Sequence, residues 1–134
     1  MVFSFDIETP ASTPRTTPQV TTLPISGGII RQWYINFPDG NWFEAPLRIH
    51  KEGTPILPIN LGGEIRGNGA PFVSIEFINI STPPWELTAL TWNEDINNPH
   101  DIYVSITIMP LWTLLPYSDQ LLNMMTAEEI KMVF

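Results

Sequence analysis

Apolar and polar residues alternate with a period of two along most of this chain, the pattern of half-buried strands. The strongest instance is residues 84–110. Trp85, Leu87 and Ala89 alternate with Glu86 and Thr88; a polar stretch rich in Asn, Asp and Pro follows; then Ile102, Val104, Ile106 and Ile108 alternate with polar or aromatic neighbours. Proline closes both ends, so the segment predicts a β-hairpin, with the cleanest core face on its second strand. After Ala89 the apolar phase slips to Leu90 and Trp92, which predicts a bulge or a strand buried on both faces.

The same pattern predicts a hairpin upstream, from a strand over residues 29–37 through a Pro-Asp-Gly-Asn turn to a strand over residues 47–51. In the latter, Leu47 and Ile49 point one way and Arg48 and His50 the other; Pro46 marks an edge or a bulge. A short strand over residues 56–61 is broken by Pro58. The glycine-rich residues 62–69 precede a strand rather than a helix and contain no lysine, so they predict a bulged turn and not a phosphate loop. In the strand over residues 70–80, Val73, Ile75 and Phe77 share one face. Ser74 and Glu76 share the other, whose far end carries Ile78 and Ile80 and is expected to be covered as well. Regular strands without helical crossovers predict an all-β fold, an antiparallel jelly-roll-like β-sandwich over residues 28–112.

The two ends differ from this middle. Phe3, Phe5 and Ile7 alternate with polar residues in a short strand, and residues 9–24 carry proline every few positions among threonines. Proline removes donors and fixes φ, so residues 1–27 predict an extended, polyproline-like N-terminal arm. Its strand is suited to pairing with a sheet edge, in its own subunit or in a neighbour. Residues 113–134 predict a short C-terminal helix or two, from an N-cap at Ser118 or Asp119 and a capping box over residues 126–129. Phe3, Phe5, Ile7, Leu121, Leu122, Met125 and Phe134 are the candidate assembly contacts.

Composition narrows the functions. The length of 134 residues fits one domain able to bury a core. Without cysteine there is neither disulfide nor thiolate metal site. Six basic against fourteen acidic residues give a net charge of -8, which argues against nucleic acid and anionic membrane as partners. The charged fraction of 15% is well below the roughly 25% of an average soluble domain. That fits a surface partly covered by other protein, and equally a sandwich with a neutral polar surface. Residues 1–10 lack the basic region of a secretory signal, and no apolar run approaches the ~20 residues of a membrane helix.

Chemistry is sparse. His100 has Asp95 and Asp101 nearby in sequence, and residues 93–98 supply oxygen ligands of the kind calcium takes, but without EF-hand spacing. Turn chemistry accounts for the same Asn, Asp and Pro residues. No nucleophile elbow or cysteine nucleophile is present, and the acid pairs sit on turns, so the reading is not an enzyme and needs no cofactor. Of the five tryptophans, Trp33 and Trp85 run in phase with apolar neighbours and are expected in the core. Trp42 and Trp112 are the candidates for exposed contact. With Asn97 and Asp101 they form the candidate ligand set of an alternative reading, a carbohydrate-binding or adhesin-like module.

The runs Pro84-Trp85-Glu86-Leu87-Thr88, Trp92-Asn93-Glu94-Asp95 and His100-Asp101-Ile102-Tyr103-Val104-Ser105-Ile106-Thr107 resemble small β-sandwich virion proteins of tailed phages and related viruses: head decoration, minor capsid or fibre-attachment modules. The resemblance spans roughly residues 28–110. It implies a non-enzymatic structural protein made in the host cytoplasm and located in the virion. Such a protein assembles with itself and with other structural proteins of the particle, and the resemblance supplies no catalytic residues and no cofactor.

Overall fold

The structure, a computed structural model, describes residues 1–60 and 62–110. Eight strands form two antiparallel four-stranded sheets: β1 (Val2–Thr9), β2 (Gln19–Pro24), β3 (Gly28–Asn36), β4 (Leu47–Lys51), β5 (Thr54–Leu57), β6 (Pro71–Ile80), β7 (Glu86–Thr91) and β8 (His100–Met109). The first sheet has the order β1-β8-β3-β6 and the second β2-β7-β4-β5. Among the described residues there is no helix. The expected C-terminal helix, with Trp112, Leu121, Leu122, Met125 and Phe134, lies outside them.

One face of each strand is apolar because its alternate residues are, and those faces meet as the core. Ile102, Val104, Ile106 and Ile108 of β8, Trp33 and Ile35 of β3, Leu47 and Ile49 of β4, and Leu87 and Ala89 of β7 are all inaccessible to solvent. Gly67 allows the β5–β6 loop to pass flat over the buried Phe37 ring; a Cβ there would lie 2.5 Å from the ring.

Neither expected hairpin forms. β7 pairs with β2 and β4, whereas β8 pairs with β1 and β3, so residues 92–99 carry the chain from one sheet to the other. The connection between β3 and β4 does the same. A strand, a polar turn and a strand read alike whether the turn closes a hairpin or bridges two facing sheets. Only β4 and β5 are consecutive and paired.

The N-terminal arm is also corrected. Val2–Thr9 pairs along its whole length with β8, and Gln19–Pro24 pairs with β7, so residues 1–27 supply one edge strand to each sheet. Proline is tolerated because β2 is an edge and its prolines fall at or beside its ends. Ile7 is buried, and Phe3 and Phe5 pack against the core, so none of the three is free for contact with a neighbour.

β7 keeps its alternation without a bulge. The phase slip marks Thr91, a buried polar residue facing inward, whose hydroxyl accepts a hydrogen bond from the Thr9 hydroxyl across the two sheets at 2.9 Å. β6 is turned over: Phe72, Ser74, Glu76, Ile78 and Ile80 occupy the inward face, and Val73, Ile75 and Phe77 are exposed. Trp85, expected in the core, lies just before β7 and is 41% exposed.

Removing β1 would uncover the β8 edge and strip Phe3, Phe5 and Ile7 from the core. Deletion of residues 1–9 is expected to abolish cooperative unfolding. A truncated chain that melts like the full chain, followed by circular dichroism, would contradict this.

Candidate functional site: the loop end of the sandwich

The strand registers gather the four long loops at one end. Thr9 lies opposite His100, Asn36 opposite both Tyr103 and Pro71, and Thr91 opposite both Gln19 and Leu47. The connections β1–β2, β3–β4, β5–β6 and β7–β8 are therefore neighbours.

Charge knits them together. Glu64 of the β5–β6 loop meets Arg15 at 3.3 Å, Arg66 at 3.1 Å and Arg48 at 3.9 Å. Arg66 also meets Glu94 at 2.8 Å and donates to the Phe43 carbonyl at 2.6 Å. The Glu94 hydrogen bond holds the Arg66 pKa above its ordinary value, and the same contact holds Glu94 below its own. Arg15 and Arg48 lie over the buried Trp92 ring, 5.4 and 4.9 Å from its centroid.

On the β3–β4 loop, Trp42 and Phe43 both have positive φ, 51° and 62°, and are 67% and 54% exposed. Two consecutive aromatic residues in the left-handed region are strained, and the surroundings must over-determine them. They do. Asn41 is buried, its side-chain oxygen accepts from the Ala45 amide at 3.1 Å, and its amide donates to the Ala45 carbonyl at 3.4 Å. The Phe43 amide donates to Gly67 O, and Arg66 holds the Phe43 carbonyl. The result is a fixed backbone that presents both rings to solvent.

The β7–β8 loop is a polar knot. Asn93 is buried; its side chain accepts from the Asp95 amide and donates to the carbonyls of Thr9 and Asn98. Asp95 Oδ1 accepts from the Asn97 and Asn98 amides at 2.8 and 3.3 Å, and Oδ2 lies 3.0 Å from His100 Nε2. The backbone amide of Asn97, then the other donors against a partial desolvation, bring the Asp95 pKa down to about 2. Turn chemistry thus accounts for most of the Asn and Asp residues here.

Glu44, Asp95 and His100 each offer a ligand atom, all within 4.8 Å of one another, the one such group among the described residues. Of the two acids near His100 in sequence, only Asp95 joins it. Asp101 is the next residue along β8, so it faces outward opposite Glu8 while His100 keeps the inward phase. Asn97 is exposed, and Trp112 lies outside the described residues. Glu44, Phe43 and Arg66 escaped the sequence reading. Their one signal, the run Trp42-Phe43-Glu44 directly after a turn, gives no partner.

No protein-family model matches the chain, and no curated protein matches it in sequence.

Two consequences are measurable. Asn41→Ala leaves the Ala45 backbone groups without their side-chain partner; it should destabilise the fold by about 1–3 kcal/mol and speed protease cleavage within residues 38–46. Asp95 has a folded pKa depressed from 3.8 to about 2. Its contribution to stability is therefore complete above about pH 4 and lost as the pH falls towards 2. Asp95→Asn is expected to flatten that part of the acid-unfolding profile; an unchanged acid limb would contradict the assignment.

Proposed function

We propose that this chain is a non-enzymatic structural protein of a viral particle, a jelly roll that assembles with copies of itself and with other components of the particle. The fold part of the reading is supported by the strand order: β1-β8-β3-β6 facing β2-β7-β4-β5, with the chain changing sheet at every connection but one. Jelly rolls of two four-stranded sheets recur in viral capsid and lectin domains. The virion part draws on the sequence resemblance.

The observation that carries the assembly reading is the β6 edge. Natural sheets guard their edges with charge, proline or shortness. β1 presents Asp6 and Glu8 outward, β2 is flanked by Pro18 and ends on Pro24, and β5 has four residues including Pro55. β6 has ten residues, and Val73, Ile75 and Phe77 stand exposed on it. Its one acid, Glu76, points inward and accepts from Ser74 at 2.7 Å. β6 begins on Pro71, and the register shift between Ile30 and Gln32 disturbs its far half, so residues 72–75 are the segment suited to pairing with another strand.

Val73→Lys with Ile75→Lys places two charges on the outward face of this edge and leaves the core untouched. Light scattering after size exclusion should find the wild type associated and the double variant monomeric with an unchanged melting temperature. A wild type that stays monomeric at high concentration, alone and with its particle components, would sink the proposal.

A second reading, a glycan-binding module, is favoured by the adjacent exposed pair Trp42 and Phe43, since exposed aromatic rings can serve as stacking platforms. It predicts a sugar on a glycan array whose binding is lost in Trp42→Ala. Failure of the folded wild type to retain any sugar argues against it.

A further inference from the structure

We propose that Glu44, Asp95 and His100 form a binding site for a divalent transition-metal ion of the zinc type. A carboxylate oxygen from each acid and an imidazole nitrogen lie within 4.8 Å of one another. Ligands at metal distances of about 2.0–2.2 Å stand roughly 3–3.5 Å apart, so small side-chain rotations close the set. Asp95 Oδ2 and His100 Nε2, at 3.0 Å, already have that spacing.

The donors select the ion. One imidazole with two carboxylates suits zinc and its first-row neighbours; calcium and magnesium take oxygen throughout. Two of the ligands are also oriented in advance. Asp95 Oδ1 accepts from the backbone amides of Asn97 and Asn98, and Oδ2 faces His100 and accepts from the Asn98 side-chain amide at 3.4 Å. A ligating carboxylate fixed through its other oxygen is the usual outer-shell arrangement of a metal site. The side chains of Asp95 and His100 are only 15% and 13% exposed. Arg66, which reaches the β7–β8 loop through Glu94, is also matched by Glu64. The net charge of -8 favours the arrival of a cation.

The three ligands come from separate places: the β3–β4 loop, the β7–β8 loop and the first residue of β8. A bound ion would therefore tie the loop that carries Trp42 and Phe43 to the β7–β8 corner. Three protein ligands leave a coordination position for water or for a group from a docking partner.

The test uses the full chain stripped with chelator, titrated with zinc chloride by calorimetry and melted with and without zinc. One ion should bind per chain and raise the melting temperature by several degrees. His100→Asn, which keeps a donor towards Asp95, and Glu44→Gln should each melt like the stripped wild type and bind zinc at least roughly tenfold more weakly. His50→Asn should bind as the wild type does. Folded wild type that ignores zinc, undiminished binding in both site variants, loss of binding in His50→Asn, or an equal response to calcium would each overturn the proposal. Should His100→Asn fail to fold, Glu44→Gln decides alone, since its side chain ends in a loop.

Discussion

Two sheets share one core only if the chain can leave one and enter the other, and here it does so at six of the seven connections between the described strands. The corners, more than the strands, therefore decide whether the fold is unique. At the loop end they are built from buried polar side chains. Asn93 ties the β7–β8 corner to the Thr9 carbonyl, Asn41 closes the β3–β4 corner on Ala45, and the Thr9 hydroxyl bridges to Thr91 across the core. A buried polar group without a partner costs about 1–3 kcal/mol, so each of these side chains is tolerable in one arrangement of the backbone and penalised in others. Apolar contacts drive the sheets together; these bonds fix which corner meets which strand.

The same end uses a large share of the scarce positive charge. Three of the six basic residues, Arg15, Arg48 and Arg66, converge on Glu64 from different elements. Isolated surface ion pairs are worth little, but three guanidiniums around one partly buried carboxylate, two of them stacked on Trp92, form a network with packing as well as charge. The acids left over lie on outward faces such as β1, where they also guard the edge. A low charged fraction thus need not mean a covered surface. Exposed apolar residues cluster on the β6 edge as Val73, Ile75 and Phe77 and on the β3–β4 loop as Trp42 and Phe43; Val2, Val20, Ile59, Trp85 and Ile96 stand singly elsewhere.

What the sequence made legible was periodicity, because burial on one face follows from it. The core face of β8 and the inward placement of Leu47, Ile49 and Trp33 follow directly from alternation. Partner choice did not, since local pattern says which side a residue faces and nothing about which strand lies beside it; the residues 84–110 divide between two sheets for that reason. β6 misled because both its faces carry apolar residues, and the inward one is chosen by what lies opposite in β3. Thr91 misled because its partner Thr9 is distant in the chain, and so did Glu44, whose association with Asp95 and His100 is wholly tertiary. Proline-rich residues 10–24 read as an arm because edge strands and free extended chain share the same chemistry.

The two exposed apolar features belong to different elements, and this bears on how the molecule can be used. β6 runs along a flank, whereas Trp42 and Phe43 cap the loop end. Met1 and Met109 lie at the opposite end, where Met1 exchanges both backbone hydrogen bonds with Ile108. Pairing along β6 would use its backbone edge, whereas the strained aromatic pair belongs to the β3–β4 loop, its backbone held by Asn41 and Arg66. A backbone already fixed need not be ordered on contact, so the strain at Trp42 and Phe43 is of a kind that recognition can repay; it has no return in the core, which those two side chains do not enter.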